Sequence, residues 1–178
     1  MTPTGLRWLP AVLAVAAAVM SFPAYFSDYQ VDDWVHQARL RDNPILPNRV
    51  HPVLELFTFM DGSPELHHKL VSEGSVPWYT RSDMLANFLR PVSSATHWLD
   101  QLVAPGVPLV AHVHSVLWYM LVVVLATWLF RSVSGGRVWW IGAIAAVAYA
   151  LDDAHGLPVA WIANRNGVIC CAFGLAVL

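Results

Sequence analysis

The sequence predicts an all-α, polytopic membrane protein, and three observations carry that reading. Of its 178 residues 57% are hydrophobic and only 12% charged, about half the charge of an ordinary soluble domain. The apolar residues fall into four runs, at residues 6–22, 107–130, 138–151 and 157–178. Two polar clusters, Asp152-Asp153-Ala154-His155 and Asn164-Arg165-Asn166, lie between and inside the last of these runs. Charge at membrane depth is expensive to keep, so such clusters mark places where charged chemistry is handled.

The first run has 17 residues with a single Arg7 at its start, which fits a signal anchor or a cleavable signal peptide. The stretch 19–25 holds no small-x-small cleavage pattern, which favours the anchor. Residues 27–106 then form a large first loop, rich in turns and in short helical patterns. Asp32 and Asp33 open a helix to Leu40 that has Arg39 and Arg41 near its end, as the helix dipole favours. Asn43-Pro44 and Leu46-Pro47-Asn48 break it. After the Asp61-Gly62 turn, Ser63 caps and Pro64 begins a helix to about Ser72, with Gly74 beyond. Two more helices are expected, one from Ser82-Asp83 to Leu89 and one over residues 92–103. Their amphipathic pattern suits pieces lying flat on a bilayer better than an independent core.

The second run, 24 residues without a formal charge, exceeds the roughly 20 that cross about 30 Å of hydrocarbon. The third has 14 residues, short for a span, but Trp139-Trp140 and Asp152-Asp153 mark its two ends. The fourth meets the end of the chain without a polar flank, as expected of the N-terminal part of a larger membrane domain. Residues 1–178 are therefore read as one transmembrane domain. Arg7, and Arg131 with Arg137 in a link without acids, place the N-terminus and that link in the cytoplasm. The first loop and residues 152–158 are then extracytoplasmic. The first loop carries ten acids against six bases, a net charge of −4, which argues against nucleic acid as a partner. Cys170 and Cys171 are adjacent in an apolar run and read as small hydrophobes. The chain holds no P-loop, GxGxxG, HExxH or GxSxG pattern, so nucleotide, zincin and hydrolase readings have no local support.

An ordered set of short motifs resembles the N-terminal third of bacterial GT-C membrane glycosyltransferases, of the protein O-mannosyltransferase-like and transmembrane-TPR branches. These are the acidic pair in Asp32-Asp33-Trp34, the element Arg90-Pro91-Val92-Ser93 leading to His97 and Asp100, the span start from Pro108 to His112, His114 and Ser115, and Trp161-Ile162-Ala163-Asn164-Arg165. The likeness runs from about Tyr25 to the end. It departs at Asp152-Asp153-Ala154-His155-Gly156, where relatives commonly have a His-Pro stretch. The resemblance implies a protein of the bacterial cytoplasmic membrane among membrane lipids, with further transmembrane segments or partner subunits. The activity it implies is inverting transfer of a sugar from a polyprenyl-phosphate donor to an acceptor hydroxyl at the outer face, with an aspartate of the first loop at the reacting centre.

Asp33 is the preferred base and Asp32 its alternative, because adjacent residues on a helix point about 100° apart and only one faces a cleft. Both also read simply as an N-cap and a first-turn dipole partner. Arg165 has a guanidinium fork suited to a lipid phosphate, with Arg90, Asn164, His155 and Trp161 as further substrate contacts. Alternatively it pairs with Asp152 or Asp153, or snorkels to headgroups. Asp152 and Asp153 with His155 are either part of a magnesium or manganese site completed by Asp32 or Asp33, or a hydrophilic turn ending the third span. His112 and His114 diverge on a helix and are expected to hydrogen-bond separately within the bundle, while His67-His68 reads as a solvated helix face. A non-enzymatic membrane scaffold and, more distantly, a transporter share this architecture.

Overall fold

Residues 107–135 decide the architecture, because nothing in them interrupts a helix. In the computed structural model, which describes residues 7–41, 52–135 and 138–178, they form α6 (Pro108–Ser134), begun by Pro108 in its first turn and ended at Gly135 with φ 66°. Proline is free of penalty where the N–H is unpaired anyway, and glycine accepts the left-handed stop. At 27 residues α6 is about 40 Å long, enough to cross a membrane.

The chain divides into two units, residues 1–35 with 100–178, and residues 36–99. In the first, α6 packs against α1 (Leu9–Met20), α7 (Trp139–Ala150) and α9 (Arg165–Val177). Their shared core includes Ala14, Ala17, Val122, Val123, Ala146 and Ala172. Small side chains there let helix backbones approach closely. The approach is tightest at Gly142, where a Cβ would stand 2.5 Å from the Phe130 carbonyl oxygen on α6. The other faces stay apolar and uncovered. On α6, Leu109, Val113, Leu117 and Leu121 recur every fourth residue and are each more than 40% exposed.

Among the described residues one helix, α6, is long and apolar enough to cross a membrane, or two segments if a bent pair counts as one. That pair is the expected fourth span. It comprises a 3₁₀ turn at Asp153–His155 and α8 (Gly156–Ala160), then a 3₁₀ turn at Ile162–Asn164 and α9, with a 104° bend between the halves. The four straight spans are thus corrected. The expected spans at 6–22 and 138–151 are 12-residue helices of about 18 Å, short of 30 Å. The first stops at Ser21, before a 3₁₀ turn over Phe22–Phe26 that contains Pro23.

The described residues are mostly helical, as the all-α reading expects, but residues 36–99 add a two-stranded ladder and a small core of their own. This unit is built from the later part of α2 (Asp32–Leu40), α3 (Pro52–Glu55), β1 (Thr58–Asp61), α4 (Pro64–Ser72), β2 (Leu85–Asn87) and the earlier part of α5 (Pro91–Val103). β1 and β2 pair antiparallel with Met60 opposite Ala86. Met60, Leu66 and Leu70 make a small core with Val76 and Ala86 beside it. The stretch expected as a helix from Ser82 to Leu89 is a turn and strand. Arg90 precedes Pro91, which disfavours helix there, and the backbone finds a ladder partner in β1. Asp83 pairs with Arg81 at 2.6 Å instead of capping a helix. The expected cap of α4 forms, Ser63 Oγ accepting from the Leu66 N–H at 3.4 Å. His67, expected in solvent, is buried with Nε2 2.8 Å from the Thr80 carbonyl. The breaks expected at Asn43-Pro44 and Leu46-Pro47-Asn48, and Arg137 of the basic link, lie outside the described residues.

Candidate functional site

Arg165 is the first residue of α9, and a cation at a helix N-terminus faces the positive end of the dipole. It is also wholly buried. Both penalties require compensation, and the surrounding elements supply it. The guanidinium NH1 lies 2.6 Å from Asp100 Oδ2, near the end of α5. Nε donates to Ser115 Oγ at 3.0 Å and NH2 to the Ala111 carbonyl at 2.7 Å, one turn apart on α6. Ala111 and Ser115 share a face because they are four residues apart.

His114 completes the group, its Nδ1 only 2.6 Å from Asp100 Oδ1. That distance assigns the Nδ1 proton to His114 donating to the carboxylate, which makes the 3.5 Å approach of Arg165 NH1 to the same nitrogen a contact of two donors. Asp100 thus receives a cation on one oxygen and an imidazole N–H on the other. His112 points elsewhere, Nε2 donating to the Ser27 carbonyl at 3.0 Å. The separate roles expected for the two histidines are what the geometry has.

Asp33 reaches the same stretch of chain from α2. Its Oδ1 accepts from the Ala163 N–H at 2.5 Å, and Oδ2 accepts from the Gln30 N–H at 2.9 Å. The carboxyl is 2% exposed and within electrostatic range of Arg165. Burial raises its pKa above the ordinary carboxylate value, while the N–H groups of Gln30, Ala163 and Ile162 pull it down and Asp32 adds a smaller push upward. Just before it, Val31 has φ 39°, a left-handed conformation rare for a β-branched residue. Strain of that kind persists only where the surroundings enforce it, and here the Asp33 hydrogen bonds do so. Asp32 is half-buried, as is Asn164, whose side chain makes no cap to α9. Trp161 is half-buried with its Nε1 enclosed and without a hydrogen-bond partner among the described residues.

The remaining expected residues lie apart from this network. Asp152 and Asp153 are exposed, and Asp152 Oδ1 accepts from the Ala154 N–H at 3.0 Å, capping a short turn. The His155 ring packs tilted against Tyr119 and edge-on to Tyr149, with ring centroids 5.1 and 4.6 Å away. The pairing of Arg165 with Asp152 or Asp153 gives way to Asp100, the partner with a short direct contact. Among the described residues no group of three or more His, Cys, Asp or Glu is placed to hold a metal ion, so the magnesium or manganese site finds no ligand set. Arg90 belongs to the other unit, where its guanidinium lies 4.9 Å over the Phe57 ring and 4.8 Å over Phe88.

Sequence reasoning missed Asp100, His114 and Ser115 as the holders of Arg165. The usable signal was a lone acid in the apolar pattern of Trp98, Leu99 and Leu102, together with polar residues at helical spacing near the start of α6. Comparison with protein-family models, curated protein sequences and solved structures finds no match to this chain.

Proposed function

We propose that this chain belongs to a GT-C-like membrane glycosyltransferase that moves a sugar from a polyprenyl-phosphate donor to an acceptor hydroxyl at the extracytoplasmic face. The observation that carries the reading is the hydrogen bond from the Ala163 N–H to Asp33, 130 residues away in the chain. It joins the acidic pair and the Trp-Ile-x-x-Arg element, two of the motifs that carry the resemblance. Asp33 is the base in this reading, and burial moves its pKa in the direction that base catalysis near neutral pH requires. Arg165 is a positioning residue, holding Asp100 and the start of α9. Its donors face Asp100, Ser115 and Ala111 rather than a lipid phosphate.

The membrane setting is part of the same proposal. The uncovered apolar stripe of α6, with exposed Val12, Val15 and Val19 on α1 and Ile141, Ile144 and Val147 on α7, is a surface that water penalises and lipid accepts. In this arrangement α6 crosses the bilayer, α1 and α7 complete it with the bent α8–α9 segment, and the N-terminus is cytoplasmic. The setting is the bacterial cytoplasmic membrane.

The test is transfer from a panel of radiolabelled polyprenyl-phosphate hexoses by the full chain in nanodiscs. Asp33→Asn is expected to abolish transfer while circular dichroism stays that of the wild type. Undiminished transfer by that variant removes Asp33 as the base. Failure of the wild type to bind any of these lipids favours the second reading, a membrane scaffold, which rests on the burial of both Asp33 and Arg165.

A further inference from the structure

A cleft of about 450 Å³ lies in the unit of α1, α6 and α7, on the side of the Asp152 turn. Pockets that enclose small organic ligands begin at about 300 Å³. Its walls are mainly aliphatic, with Ala17, Met20, Pro23, Leu157 and Val159 among the contributors. Its two carboxylates, Asp152 and Asp153, are adjacent in the chain, with His155 close after them.

Most other polar atoms of the lining are already committed. Tyr119 Oη donates to the Ala150 carbonyl at 3.1 Å, and Ser21 Oγ donates to the Ala17 carbonyl at 2.9 Å. The His155 ring is held against Tyr119 and Tyr149 with its Nε2 enclosed, so the exposed carboxylates of Asp152 and Asp153 are the polar groups a ligand can reach. Neither Asp152 nor Asp153 is in an ion pair with a described residue, and no lysine or arginine lines the cleft.

We propose that this cleft binds a single-chain amphiphile with a protonated amine head, the alkyl chain against the aliphatic walls and the ammonium at the two exposed carboxylates. Two adjacent carboxylates with no lysine or arginine lining the cleft repel a phosphate, which separates this site from that of any lipid-phosphate donor. An ammonium presents three donors, which suits the oxygens of two carboxylates. A small hydrated cation would leave the aliphatic walls unused, whereas an alkyl chain buries its apolar surface against them.

The test is titration of n-octylammonium, n-octyl phosphate and magnesium into the full chain in zwitterionic nanodiscs, with empty discs subtracted. Saturable binding of octylammonium is expected, with octyl phosphate at the level of the empty discs. Asp153→Asn, an exposed change that leaves the Asp152 cap intact, should weaken octylammonium at least tenfold, and Ala160→Phe, which fills the cleft, should do the same. If Ala160→Phe fails to fold, Asp153→Asn decides alone. Equal binding of the phosphate, an unchanged affinity in Asp153→Asn, or displacement of the amine by stoichiometric magnesium each overturns the proposal. Octylammonium binding is expected unchanged in Asp33→Asn, so loss of sugar transfer leaves this site standing, and the reverse also holds.

Discussion

Two polar groups in the same unit use the same residue types and meet opposite fates. Around Arg165, every charged atom has found an opposite charge or a hydrogen-bond partner, and the guanidinium is shut away from solvent. Around Asp152 and Asp153, two carboxylates stand exposed at a cleft with no cation facing them among the described residues. The difference lies in which elements arrive. Arg165 draws partners from α5 and α6, 50 or more residues distant in sequence, whereas Asp152 finds only the backbone N–H two residues on. Charge matched by distant elements holds a fold, and charge left unmatched beside a cavity is free to meet a ligand.

The strongest way to break this contrast is to remove the guanidinium. Arg165→Met strands Asp100 in a site built for a cation, and loss of one partner of a buried pair costs about 3–5 kcal/mol. Denaturant unfolding in mild detergent should show that loss. The double change Arg165→Met with Asp100→Leu should recover most of it, since a buried pair replaced by apolar groups of similar size is often neutral. A single variant as stable as the wild type would show that the network is incidental to folding.

Asp33 sharpens the contrast through pH. In the unfolded chain its carboxyl titrates near 3.9, and in the folded chain burial raises that value. Above the unfolded value the folded state therefore binds more protons than the unfolded one. The Asp33 contribution is fully present below about 3.9 and is lost as pH rises through the folded pKa. Wild type should lose stability relative to Asp33→Asn as pH rises from 4 toward 7, followed by parallel melting curves. The opposite slope would mean that the N–H groups of Gln30 and Ala163 outweigh burial.

How much of this was legible in the sequence follows from the range of the forces involved. The start of α2 at Asp32, the Ser63 cap, Pro64 and the body of α6 are set by neighbours within a few residues, and each stands where the pattern places it. The strand at Leu85–Asn87 was not legible because its partner, β1, lies more than 20 residues away, and pairing overrides local helical spacing. The bend before α9 was equally hidden, since hydropathy measures composition along a run and carries no direction. At the site, Arg165 stood out as a costly charge inside an apolar run, and Asp33 through the acidic pair of the resemblance. Their burial and the identity of Asp100 as counter-ion depend on tertiary approach, which no local motif encodes.

The smallest expected effect belongs to the exposed side of the comparison. Asp153→Asn touches no ion pair among the described residues and leaves the hydrogen bond from the Ala154 N–H to Asp152 in place. Substitutions at exposed sites of that kind usually stay within about 0.5 kcal/mol. Relief of repulsion between neighbouring carboxylates adds a slight gain, so the melting midpoint should hold or rise a little at low salt and converge with the wild type as salt screens the pair. A loss as large as that expected for Arg165→Met would mean that Asp153 serves the fold as Asp100 does. In that case the unmatched charge at the cleft is a structural requirement, and the separation between the two polar groups disappears.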